Sequence, residues 1–166
     1  MAYTKKNMVS EINQTAEAGM MIRKPVAMVY QAFIDPEITT KFWFTKSTGR
    51  LDHNQTVIWT WEMYNVSAEV IVVSLEQNKK ISVLWGGPEQ KTKVDWTFTS
   101  LEDSRTFVQV KNYGFAGTLD EIISQVRDSI GGFTTVLDGL KAYLEHNIQL
   151  NLVQDKFPKG ISDHGS

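Results

Sequence analysis

The sequence predicts an α+β fold in which an antiparallel sheet covers one long C-terminal helix. Three observations predict it. Between residues 56 and 110, short runs with apolar side chains at alternate positions follow one another, separated by turns. From Leu119 to Leu144, apolar residues recur every three or four positions behind a capping sequence. Two short helical patterns precede the strands. Strand and helix signals that are segregated along the chain belong to the α+β class.

Taken in order, residues 1–15 read as a polar lead-in, 16–150 as the folded domain and 151–166 as a flexible tail. The run Gly19-Met20-Met21-Ile22, within residues 16–23, suits a first strand. Pro25 fits a first helical position, and Val26, Val29, Tyr30 and Phe33 recur at helical spacing. Asp35-Pro36 ends that helix and caps a second, whose apolar side holds Ile38, Phe42 and Trp43.

The period then changes to two. Val57, Trp59 and Trp61 share a face, and residues 66–75 are largely apolar and β-branched. Ile81, Val83 and Trp85 alternate, as do Val94, Trp96 and Phe98, while Val108 and Val110 oppose Phe107. Asp52-His53-Asn54, Gln77-Asn78-Lys79, Gly86-Gly87-Pro88 and Glu102-Asp103-Ser104 supply the turns. Connections this short force antiparallel neighbours. The sheet is therefore a meander of about six or seven strands.

Thr118-Leu119-Asp120-Glu121 is a capping box, with two acids where the helix dipole favours negative charge. The helix should end near Asn147, which gives a length of about 40 Å. Gly131-Gly132 interrupts its stripe. The pair reads either as a kink or close contact with the sheet, or as room for a ligand.

Composition bounds the function. With 166 residues, 42% of them hydrophobic, 22% charged and a net charge of −2, the chain is globular, with no overall electrostatic drive toward nucleic acid or acidic membrane. No apolar run is long enough for membrane insertion, and the polar N-terminus lacks a signal-peptide pattern, so a cytoplasmic protein is expected. With no cysteine, disulfides and thiolate catalysis are excluded. His53, His146 and His164 do not converge, and no P-loop, dinucleotide fingerprint or Gly-x-Ser-x-Gly is present. No metal, cofactor or catalytic residue is assigned. Glu62, Glu69 and Asp95 fall opposite apolar neighbours and read as solvated. Five tryptophans either fill the core or wall a pocket.

The segment Lys24-Pro25-Val26-Ala27-Met28-Val29-Tyr30-Gln31-Ala32-Phe33, then Asp35-Pro36-Glu37 and Lys41-Phe42-Trp43, resembles the opening of the START-like (SRPBCC) superfamily. The match is best to homologues of the heat-shock chaperone ATPase activator. Gly131-Gly132-Phe133 followed by Leu137-Asp138-Gly139-Leu140-Lys141-Ala142-Tyr143-Leu144 is similar to the family's closing helix, with Phe133 where many relatives carry Trp. The resemblance covers about residues 15–147 and implies a helix-grip (START/Bet v-like) fold with a hydrophobic cavity between sheet and helix. The expected lining is Phe33, Trp43, Trp59, Trp61, Trp85, Trp96, Ile130, Phe133 and Leu137. A small apolar or amphipathic ligand is the expected partner. A chaperone-regulating interaction module and an enzyme with an acid or base in the cavity are the alternatives. A monomer or weak homodimer is expected.

Overall fold

The structure, a computed structural model, describes residues 14–161. The lead-in expected at 1–15 lies outside the described residues up to position 13, as does His164.

Seven strands form one antiparallel sheet: β1 Ala16–Ile22, β2 Lys46–Ser47, β3 Thr56–Trp61, β4 Val66–Glu76, β5 Lys80–Gly86, β6 Lys91–Leu101 and β7 Arg105–Tyr113. Their order is β1-β7-β6-β5-β4-β3-β2. Strands β3 to β7 are the expected meander; the short β2, which was not expected, pairs with β3, and β1 adds beside β7 with Ala16 opposite Asn112 and Ile22 opposite Thr106. Between β1 and β2 lie helices α1, Val26–Ile34, and α2, Pro36–Thr39. Asp35 both stops α1 and caps α2, its carboxylate accepting the Glu37 N–H at 3.0 Å. Trp43 falls beyond α2, its N–H on the Thr39 carbonyl.

The strand expected over 56–62 stops at Trp61. Glu62–Tyr64 forms a single 3-10 turn, and Asn65 enters β4 from the left-handed region at φ 51°. A left-handed residue turns the chain sharply, and Asn tolerates it better than most. Asp95 does lie on the outer face, but it is tied there rather than free. Ser82 donates to it at 2.6 Å and Tyr113 at 2.9 Å. Burial raises the Tyr113 phenol above its ordinary value, and the hydrogen bond to Asp95 and its charge add to that. Glu69 is a half-exposed partner of Lys91.

Helix α3, Leu119–His146, has 28 residues and ends at Asn147 in the left-handed region. Of the capping box, the Thr118 half forms: its hydroxyl accepts the Glu121 N–H at 3.2 Å. Only the C-terminal half of α3 is gripped. Phe133, Val136, Leu137, Gly139 and Leu140 are buried, whereas Leu119, Ile123 and Ile130 are exposed. Lys141 and Glu145 lock this half to the end of β1. The Lys141 ammonium donates to Met21 O at 2.8 Å and to the Glu145 carboxylate at 2.7 Å, which also takes the Arg23 N–H at 2.8 Å. Gly139 allows close approach, since a Cβ there would lie 3.3 Å from both Cβ and the carbonyl oxygen of Phe42.

After α3, residues 151–161 fold back toward the helix. Helix α4, Leu152–Asp155, is held by the Tyr64 hydroxyl. That hydroxyl donates to the Val153 carbonyl, lies 3.1 Å from that of Gln154 and accepts the Phe157 N–H at 3.3 Å.

Candidate functional site

Period-two alternation points Trp59, Trp61, Trp85 and Trp96 from β3, β5 and β6 to the same inner face. Trp43 and Phe44 enter from the loop after α2, and Phe33 from α1. The rings meet: Trp43 lies 4.9 Å from Trp59, 5.8 Å from Trp85 and 5.9 Å from Trp96, centroid to centroid. Phe44 stacks on Trp59 at 4.7 Å, and Phe33 tilts against Trp96 at 5.7 Å. Such aromatic contacts add about 1 kcal/mol each beyond the area they bury.

This cluster divides the expected lining residues. Phe33, Trp59, Trp61, Trp96 and Leu137 are buried among neighbours and fill the deep interior. Ile130 is corrected outright: it is 41% exposed. It lies three residues before Phe133 on the same apolar spacing, but its side chain faces outward. Trp43, Trp85 and Phe133 remain as the wall of an opening. With Gly132, Ser129, Asp128 and Asn112 they line a cleft of about 270 Å³ between the sheet and α3.

The cleft exists where the grip ends. A Cβ placed on Gly132 would meet nothing within 4 Å. The glycine pair is thus no close contact with the sheet, and α3 runs through it as unbroken helix. Neither a kink nor a contact with the sheet is present at the pair, and open space lies beside Gly132.

Two further hollows adjoin this cleft, and Asp128 lines all three. Toward the N-terminus of α3 the walls are Trp85, Gln90, Thr92, Asn112, Phe115 and Gln125. Asn112 is buried and fully engaged there. Its amide donates to Thr92 Oγ1 at 2.8 Å and Lys93 O at 2.9 Å, and its carbonyl accepts from Ser129 at 2.8 Å. A buried amide so satisfied positions α3 against β7. On the other side of Gly132 a groove of about 730 Å³ runs between α3, Tyr64 and the segment after α4. Trp96, 1% exposed, stands one ring behind the cleft wall. Its indole nitrogen is, among the described residues, the buried side-chain polar atom without a hydrogen-bond partner.

Several of these residues escaped the sequence reading. Asn112 follows Val108 and Val110 in phase, so a polar residue on the inward register was the available signal. Lys141 and Glu145 stand at i,i+4. Tyr64 and the segment that it holds carried no local signal.

Among the described residues no group of three His, Asp or Glu side chains is placed to hold a metal ion. His53 and His146 are both exposed. No described helix is long and apolar enough to cross a membrane.

The family model described as Activator of Hsp90 ATPase homolog 1-like protein matches residues 23–145. No curated protein matches the sequence. Among solved structures, a Staphylococcus saprophyticus protein is 26% identical with a TM-score of 0.70, over 82% of this chain and 95% of its own. The Aha1 dimer from Colwellia psychrerythraea is 18% identical with a TM-score of 0.69, over 80% and 96%. An HSP90 activator from Plasmodium falciparum is 13% identical with a TM-score of 0.64, over 79% and 96%. At the identities of the last two, the likeness is one of fold.

Proposed function

The chain belongs to the Activator of Hsp90 ATPase homolog 1-like family, of the START-like superfamily, and we propose that it binds a small hydrophobic or amphipathic ligand in the cleft between its sheet and C-terminal helix. One observation carries this reading: the wall of Trp43, Trp85 and Phe133 opens beside Gly132, where the helix lacks side chains. Flat apolar walls with polar groups at one rim are what ligand sites are commonly made of. The ligand lies across the mouth of the cleft, because the rings behind it occupy the deeper interior.

Titration with a panel of apolar and amphipathic compounds, followed by tryptophan emission, tests this reading. Binding quenches or shifts the emission of Trp43 and Trp85, and Gly132→Leu, which fills the mouth, abolishes the response. A panel that leaves emission unchanged in the wild-type protein refutes the reading.

A second reading, regulation of a chaperone ATPase, is favoured by the family description and by the apolar residues that α3 exposes, Leu119, Ile123 and Ile130. Capture of the chaperone together with altered ATP turnover would support it. Unchanged turnover would end it.

A further inference from the structure

The groove beyond Gly132 is apolar at its base and basic at its rim. Met63, Tyr64, Val153 and Phe157 contribute apolar surface, and Arg127, Lys156 and Lys159 contribute three positive charges. Arg127 comes from α3, and the two lysines come from the segment after α4, so the cations approach from both sides. None of the three is ion-paired with a carboxylate among the described residues; Lys156 donates instead to the Thr135 hydroxyl at 3.3 Å. Against them the groove holds one acid, Asp128. Three cations without acidic partners, over an apolar floor, attract an anion that carries apolar bulk. A purely apolar ligand would leave those charges unanswered, and a cationic one would be repelled.

From this charge complementarity we infer that the groove is a binding site for an anionic amphiphile. Its head lies among Arg127, Lys156 and Lys159. Its apolar part passes Gly132 into the cleft walled by Trp43, Trp85 and Phe133. Gly132 and Asp128 line both hollows, so the two spaces adjoin there. The missing side chains then have a purpose: Gly132 leaves the passage open, and at Gly131 a Cβ would lie 3.3 Å from the Lys156 ammonium. The inference rests on the ligand-binding reading above and deepens it by naming the ligand class.

The test compares octanoate, 1-octanol and octyltrimethylammonium, each below its micelle concentration, by calorimetry on the full chain and on Lys156→Glu/Lys159→Glu. Both lysines are exposed, and circular dichroism verifies that the variant is folded. The expected result is that octanoate binds about tenfold or more tighter than octanol. The double variant loses that advantage and keeps its octanol affinity. Raising salt from about 50 to about 500 mM weakens octanoate alone. Equal binding of octanoate and octanol overturns the anionic class while leaving the apolar cleft standing. Tight octanoate binding that the double variant retains overturns this location for the head group. No binding by any of the three overturns the inference and the ligand reading together.

Discussion

Glu145 is a carboxylate with its side chain only 8% exposed. Burial alone would raise its pKa. The Lys141 hydrogen bond, the Arg23 N–H and the positive charges of Lys141 and His146 outweigh that and hold it below its ordinary value. A carboxyl with a depressed folded-state pKa stabilises the fold above its unfolded value, and that contribution is lost as pH falls through the folded one. Glu145→Gln should therefore cost about 1–3 kcal/mol near neutrality, since it weakens a charged network at the β1–α3 junction. Urea melts of the two proteins should converge as pH drops below the ordinary carboxylate range. A constant gap between them would contradict the assignment. Single residues also separate the tryptophans by role. Trp59 is enclosed by Phe44, Trp43 and Trp96, whereas Trp85 borders open space. Trp59→Ala should cost about 3–5 kcal/mol, as large core truncations do. Trp85→Ala should cost less in thermal melts and should diminish the emission response to ligand, leaving the part that Trp43 contributes.

At the scale of elements, α3 carries glycines of opposite kinds. Gly139 faces Phe42 at a distance with no spare room, so Gly139→Ala should destabilise by about 1–3 kcal/mol through overpacking. Gly132 faces empty space, so Gly132→Ala should stabilise the helix by about 1 kcal/mol. Thermal melts that shift in opposite directions verify the pair; shifts of the same sign would undermine the account of the cleft. The helix itself was legible from its capping box, its stripe and its Asn147 end. Where along its length the stripe ceases to be buried was not legible. Leu119, Ile123 and Ile130 obey the same spacing as Phe133 and Leu137, and periodicity reports a face without reporting what covers it.

At the scale of the molecule, the curved sheet closes over half of the long helix, and the segment after α4 meets the middle of that helix, with Lys156 beside Gly131 and Thr135. Tyr64 joins that segment to the β3–β4 turn. Tyr64→Phe removes the hydroxyl but keeps the ring against Phe157, 6.0 Å away. Global stability should fall by no more than about 1 kcal/mol. Amide exchange at residues 152–157 should accelerate markedly, because these bonds are a large part of what holds the segment against local opening. Unchanged protection would show that other contacts hold the segment.

The sequence by itself determined the α+β class, the meander and its inward-facing register, both short helices and the extent of α3. Those follow from local periodicity, turn chemistry and capping, which act over a few residues. The tertiary structure alone decided which tryptophans fill the interior and which border a cleft, that Ile130 faces outward, and that Tyr64 and Lys156 meet α3 from distant parts of the chain. The physical reason is that ring packing, how much of a helix a sheet covers and charges gathered across a groove depend on distances between residues far apart in sequence, which no local pattern encodes.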